Sequence, residues 1–386
     1  MNKNEQAIIE FEKGNACAES EDWEASIACY SLAIDLDSTD GSFYNNRGSS
    51  YGLLGEHDRA VTDYSQAIQL DPTLAESYYN RGQAYWQQAE LDKAIVDFSQ
   101  AIQLEPQYVK AYTYRAAAYG ERGEHDKQIA DYTQVIQLDP TAAYAYCDRA
   151  SAYGVLGNYD KAIADYTLAI EREPDFASAY LSRGFVYSEL GEYDKAIADC
   201  TQMTQLHPTD ALAYFIRGNL YRCLGENDKA ITDYSQTIQF DPTNSDAYNE
   251  RGIVYGELEE YDKSIADFNQ AIQLDPDSAA AYYSRGASYG RLGENDKAID
   301  DCTRAIQIDP TAVIAYHCRA AAYWQLRKYD LAILDYTKVV ELDPTCGEAF
   351  YHRGRSYQRV DEDGKAEADF ARSEELGFNP FIPFDP

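Results

Sequence analysis

Nine of the twelve prolines in this 386-residue chain recur at a constant spacing of 34 residues. They are Pro72, Pro106, Pro140, Pro174, Pro208, Pro242, Pro276, Pro310 and Pro344. The same period divides residues 7–380 into eleven units, which begin at residues 7, 41, 75, 109, 143, 177, 211, 245, 279, 313 and 347. A fixed period of this length indicates units that pack against their neighbours. We therefore expect a lead at 1–6, a single array at 7–380 and a Pro- and Phe-rich tail at 381–386.

Two periodic stretches within each unit predict two helices. When units are numbered from 1 to 34, position 4 is aromatic from Tyr44 to Phe350, position 8 is small, and position 11 is Tyr in ten units. Residues spaced four and three apart share one face of a helix. A second such face, at positions 20, 24 and 27, follows a turn such as Gly55-Glu56 and ends before the recurring proline. Each unit is therefore predicted to be a helical hairpin.

This spacing of aromatic, small, Tyr, Ala, aromatic and Pro residues resembles the tetratricopeptide repeat across residues 7–380. The resemblance implies an all-α fold, a right-handed α-solenoid or superhelix of eleven helix-turn-helix units. The chain departs from the family pattern at position 7, which is Arg in ten units where the family usually has Leu.

The arginine at position 7 has an acidic counterpart at position 23. Ten units carry both residues, whereas the first unit has Lys13 and Cys29 instead. We predict a structural ladder of Arg–Asp pairs, within a unit or between neighbours, that begins with Arg47, Arg81, Arg115 and Arg149 and with Asp63, Asp97, Asp131 and Asp165. A buried pair of this kind fixes register more than it adds stability. The alternative is that the row of arginines holds an anionic ligand.

Composition and charge exclude several classes of function. With 33 basic and 66 acidic residues the net charge is −33, which opposes binding to nucleic acid, and much of the acidity is expected to be a solvated face. The sequence has no stretch long enough for a membrane helix and no signal peptide. The eight cysteines form no CxxC pair, so we expect free thiols and a cytoplasmic location. No catalytic, metal or cofactor site is predicted, and the protein is expected not to be an enzyme.

The resemblance implies that the first helices line a concave groove, in which positions 2, 5, 9 and 12 should face a partner. These positions vary most between units, and two groups of them carry the aromatic and Arg side chains typical of binding sites. The first group is Leu181, Phe185, Phe215, Asn219 and Arg222. The second is Tyr283, His317, Trp324, Tyr351 and Arg355, together with Arg291 one position further round the helix. The arginines of the second group favour an acidic peptide or a free carboxylate as the ligand.

Co-chaperones of the family bind a chaperone's C-terminal carboxylate through a five-residue clamp, and this sequence does not retain it. Asn15 and Asn46 match the two asparagines of that motif, but Phe11, Glu76 and Asn80 occupy its three basic positions. We therefore expect no chaperone carboxylate clamp.

Both ends of the array are expected to be capped. In the last unit Glu367 and Glu374 replace the apolar residues that would face a following unit. The segment 378–386 is predicted to fold over that unit as a lid, or to insert into a groove of the same or another copy and cause self-association.

The sequence as a whole predicts a non-catalytic scaffold or adaptor that binds a peptide or protein segment in its groove. Two alternatives remain open. One is a regulatory subunit that holds a single catalytic partner, and the other is an RNA-binding helical repeat, which the net charge disfavours.

Overall fold

The computed structural model describes residues 2–378, and their regular structure is entirely α-helical. The predicted all-α architecture of helical hairpins is therefore confirmed. The first helices of the units are α1 Lys3–Glu19, α3 Gly41–Leu53, α5 Ala75–Gln87, α7 Val109–Glu121, α9 Ala143–Val155, α11 Ala177–Glu189, α13 Ala211–Cys223, α15 Ser245–Glu257, α17 Ala279–Arg291, α19 Val313–Gln325 and α21 Gly347–Arg359. The second helices are α2 Trp23–Leu36, α4 His57–Leu70, α6 Leu91–Leu104, α8 His125–Leu138, α10 Tyr159–Arg172, α12 Tyr193–Leu206, α14 Asn227–Phe240, α16 Tyr261–Leu274, α18 Asn295–Ile308, α20 Tyr329–Leu342 and α22 Asp363–Glu375.

The chain divides into two compact bodies, Met1–Leu190 and Gly191–Pro386. Helices α1 to α11 belong to the first body and α12 to α22 to the second. The predicted tail at 381–386 lies outside the described residues, and so does the predicted lid or groove insertion beyond Phe378. Among residues 2–378, no helix combines the length and the apolar composition that crossing a bilayer requires.

A small residue at position 8 lets the two helices of a hairpin approach closely. An added Cβ at Gly218 would lie 2.8 Å from Cε1 of Tyr234, and one at Gly82 would lie 2.8 Å from Cε1 of Phe98. Both rings come from position 24 of the same unit and are almost completely buried. The alternation of small and aromatic residues in the sequence is therefore the packing of one helix against the ring of the next.

The conserved chemistry at positions 7 and 23 forms buried ion pairs within each hairpin. In the nine pairs that the structure describes, Arg Nε donates to Asp Oδ2 at 2.7–2.8 Å and Nη2 donates to Oδ1 at 2.7–2.9 Å. These pairs are Arg47–Asp63, Arg81–Asp97, Arg115–Asp131, Arg149–Asp165, Arg217–Asp233, Arg251–Asp267, Arg285–Asp301, Arg319–Asp335 and Arg353–Asp369. This bidentate geometry is the strongest that a guanidinium and a carboxylate can adopt.

The same arginines also connect each unit to the one before it. In all ten units Nη1 donates, over 2.6–3.3 Å, to the Ser, Thr or Asn side chain at position 25 of the preceding unit. Tyrosines at positions 4 and 11 flank the guanidinium, as Tyr78 and Tyr85 flank Arg81 with ring centroids 5.8 and 5.9 Å from its Cζ. One side chain thus fixes both the hairpin and its junction with the preceding hairpin.

Position 15, in the turn between the two helices, has a left-handed backbone in every unit. It is Gly in six units, but Glu21, Ala89, Glu259, Arg327 and Asp361 adopt φ of 58–60° in the others. A residue with a Cβ pays a conformational penalty of about 1–2 kcal/mol in this region, whereas Gly does not. The turn is therefore strained in five units.

We expect Ala89→Gly to stabilise the first body by about 1 kcal/mol, because the exposed Ala89 has φ of 58° and glycine removes the strain. The matched control is Gly123→Ala at the same position of the next unit, where φ is 71° and an added Cβ would meet no atom within 4 Å. That change should destabilise the body by a similar amount. Urea denaturation of both variants measures the effect, and a loss of stability in Ala89→Gly would contradict the assignment.

Candidate functional site

The first predicted group of partner-binding residues belongs to two helices, one in each body. On α11, Leu181 is half-buried and Phe185 is 64% exposed. On α13, Asn219 Oδ1 accepts a hydrogen bond from the Tyr234 hydroxyl at 2.8 Å, and Arg222 Nε lies 3.2 Å from Glu250 Oε2. The polar members of this group are therefore already engaged within the second body.

Position 5, which sequence reasoning assigned to the groove, is more deeply packed than a solvent-facing position. Tyr79 and Cys147 are buried, and Phe215, His317 and Tyr351 are half-buried. The reason is the aromatic ring at position 24: ring centroids of the Tyr79–Phe98, Phe215–Tyr234, His317–Tyr336 and Tyr351–Phe370 pairs lie 5.5–6.0 Å apart. The variation at position 5 thus changes the hairpin core as well as the groove surface.

The second predicted group surrounds a cleft of about 360 Å³ formed by α17, α19 and α21 in the second body. Arg291, His317, Trp324 and Arg355 line this cleft. Tyr283 and Tyr351 do not line it. Tyr283 is half-buried, and Tyr351 packs against Phe378 with a centroid distance of 5.5 Å. The structure therefore brings four of the six residues together, from three successive units.

Glu348 and two histidines form the inner wall of the cleft. Glu348 Oε1 lies 3.6 Å from His352 Nε2, and its Oε2 lies 3.9 Å from His317 Nε2. The hydrogen bond with His352 lowers the pKa of Glu348, which stays ionised at neutral pH. Burial lowers the pKa of His317 in spite of the nearby carboxylate, so that its ring is neutral at pH 7. Its Nε2 is buried and has no hydrogen-bond partner among the described residues.

The outer wall of the cleft carries a stacked aromatic and cationic pair. The guanidinium of Arg355 lies over the Trp324 ring, with Cζ 4.8 Å from the ring centroid. Within residues 2–378, neither Arg355 nor Arg291 forms an ion pair or a hydrogen bond. The Trp324 indole nitrogen is buried and is likewise without an acceptor in that part of the chain. The cleft thus presents hydrogen-bond donors whose acceptors are not supplied by the protein itself.

Sequence reasoning missed Glu348 and Tyr336 as members of this cleft. Glu348 occupies position 2, one of the predicted groove positions, so its place in the unit was the available signal. Tyr336 occupies position 24 and was assigned to the core, and it does both because its ring stacks on His352 at 5.8 Å.

The asparagines that match the chaperone clamp are used inside the first body. Asn46 Nδ2 donates to Asn15 Oδ1 at 3.0 Å, and the Tyr30 hydroxyl donates to the same oxygen at 2.8 Å. No three His, Cys, Asp or Glu side chains within residues 2–378 are grouped so that they could hold a metal ion.

Comparison with known families gives matches along most of the chain. Models described as tetratricopeptide or TPR repeats match residues 14–55, 48–89, 75–108, 109–141, 143–176, 166–198, 218–259, 257–293, 279–312 and 313–346. No curated protein gives a significant match to the sequence.

Several solved structures resemble the chain. A tetratricopeptide repeat protein from Parabacteroides merdae is 22% identical, with a TM-score of 0.51, over 62% of this chain and 94% of that one. Yeast Tom70 is 16% identical over 97% of this chain and 93% of its own, with a TM-score of 0.43. YrrB, a TPR protein titled as having an unusual peptide-binding site, is 21% identical over 49% and 97%, with a TM-score of 0.44. The Parabacteroides structure supports the same fold.

Proposed function

Because the chain belongs to the tetratricopeptide repeat family, we propose that it is a non-catalytic scaffold or adaptor that binds a segment of another protein. The observation that carries this proposal is the cleft of α17, α19 and α21, where an aromatic ring and two arginines without acidic partners face one opening. Trp, Tyr and Arg are the residues that contribute most at protein interfaces. We further propose a cytoplasmic location, which suits the eight free thiols of the chain.

The charge of the chain supports a protein partner over a nucleic acid. A net charge of −33 repels a phosphate backbone, whereas the local cations of the cleft act over less than about 10 Å at physiological salt. The exposed Phe185 on α11 offers a second contact surface for the same kind of partner.

The test is capture of partners by full-length protein with Arg291 and Arg355 both changed to alanine. We expect this double variant to retain its helical content and to recover its partners at least about tenfold less well than the parent, since hot-spot losses exceed 1.4 kcal/mol. The matched control is Trp86→Ala, which alters the same repeat position in the other body. Equal recovery by the parent and the double variant would exclude the cleft as the partner-binding site.

A further inference from the structure

Two tryptophans occupy the same repeat position, position 12, and differ in what their indole nitrogens bind. In the first body, Trp86 Nε1 donates to Glu121 Oε1 at 2.8 Å. Glu121 is at position 13 of the following unit, and the corresponding residue after Trp324 is Arg359. One junction of the array therefore supplies a carboxylate to its indole, and the other carries a cation where that carboxylate would be.

This replacement accounts for the unpartnered nitrogen in the cleft. An indole N–H can only donate, and burial without an acceptor costs about 1–3 kcal/mol. The junction around Trp324 also carries Arg355, whose counterpart after Trp86 is Ala117. Because a guanidinium too can only donate, Trp324 and Arg355 together require an acceptor from outside the described chain.

The charges around the cleft indicate that this acceptor is an anion. Arg355 and Arg291 have no ion pair within residues 2–378, and the carboxylate of Glu348 on the inner wall is held by His352 at 3.6 Å and faces His317 at 3.9 Å. With His317 neutral, two cations face one anion in a chain whose net charge is −33. The cleft is thus a local reversal of the sign that dominates the rest of the surface.

We propose that the cleft of α17, α19 and α21 binds an acidic side chain within a partner's peptide segment, with its carboxylate accepting the Trp324 indole N–H and pairing with Arg355 and Arg291. The Trp86–Glu121 contact shows the same scaffold binding a carboxylate at the equivalent nitrogen. The inference rests on the proposed function and adds to it the chemistry of the partner. Glu121 is a side chain inside a segment, which is why an internal acid and not a chain terminus is proposed.

The experiment uses the full chain labelled with ¹⁵N at the indole nitrogens of its three tryptophans, which gives few signals. Trp324→Phe assigns the Trp324 signal. The probe is a pentapeptide, Ala-Glu-Glu-Glu-Ala, acetylated and amidated at its ends, and its control has Gln for Glu. We expect the glutamate peptide to shift the Trp324 signal with saturation and the glutamine peptide to bind at least about tenfold more weakly, because charge-assisted hydrogen bonds are the stronger ones.

A second variant tests the site without any peptide. Arg359→Glu restores the internal carboxylate found after Trp86, so the Trp324 signal should move in the free protein and the glutamate peptide should lose at least tenfold in affinity. Arg359→Gln is the control that removes the cation without supplying an anion, and it should retain peptide binding.

Three results would overturn the proposal. They are equal binding of the two peptides, undiminished binding by Arg359→Glu, and binding only when the C-terminal carboxylate is left free. Calorimetric titration settles the case of an unmoved NMR signal, since the absence of heat with the glutamate peptide also overturns it. Loss of partner capture in the Arg291/Arg355 variant together with no preference for the acidic peptide would leave the proposed function standing and refute only the ligand class.

Discussion

Tyr234→Ala is expected to destabilise the second body by about 3–5 kcal/mol, the range for removing a large ring from a close-packed interior. Tyr234 is completely buried, its ring packs on Gly218 and on Phe215, and its hydroxyl donates to Asn219. No neighbouring side chain can fill the space, because the helices are held apart by the ion pair Arg217–Asp233. Hydrogen exchange at the amides of α13 and α14 measures the free energy of local opening.

The control for this change is Tyr234→Phe. It keeps the ring and removes only the hydrogen bond to Asn219, for which we expect a loss of about 1 kcal/mol. Phe268 already occupies the same repeat position beside Gly252, so phenylalanine is compatible with the hairpin. If Tyr234→Phe and Tyr234→Ala opened with equal free energies, ring packing would not be what stabilises the hairpin.

Asp165→Ala has the second large effect, an expected loss of about 3 kcal/mol from the first body. The change leaves the guanidinium of Arg149 without its bidentate partner, and the two side chains are only 16% and 7% exposed. An unpaired buried charge is costly, and removal of one member of such a pair typically costs about 3–5 kcal/mol. The free energy of opening at the amides of α9 and α10, measured by hydrogen exchange, gives the value.

The double variant Arg149→Met/Asp165→Ala separates the cost of the orphaned charge from the value of the pair. Because it removes both charges, we expect it to recover most of the stability lost by Asp165→Ala alone. Glu171→Gln, an exposed acid on the same helix, should change stability by less than about 0.5 kcal/mol. A double variant as unstable as the single one would mean that Asp165 acts through something other than its pairing with Arg149.

The helices and the ion pairs could be predicted because the sequence states them many times. A small residue at position 8, a ring at position 24 and the Arg and Asp at positions 7 and 23 recur in nearly every unit, so their spacing alone identifies the hairpin. The link from Arg47 to Ser31 was not predicted, since a hydroxyl at position 25 has no charge pattern that marks it as a partner.

The cleft could be predicted only in part. The arginines and Trp324 were visible as unusual residues at groove positions, but the depth of position 5 depends on the ring that each hairpin places beneath it. The unpartnered indole of Trp324 follows from a comparison of two junctions, Trp86 with Glu121 and Trp324 with Arg359. Sequence repetition makes that comparison possible, but only the hydrogen bond seen at Trp86 gives it a meaning.

The spacing of the arginine contacts bears on how such a gene could change its length. Each described aspartate partner lies 16 residues after its arginine, and each position-25 partner lies 16 residues before it. Deleting or duplicating any 34 consecutive residues would rejoin the chain with an equivalent set of contacts, so recombination between units can shorten or extend the protein without breaking its hairpins. The Trp324 cleft has no such freedom, because it requires particular residues from three consecutive units and would be lost by an exchange within them.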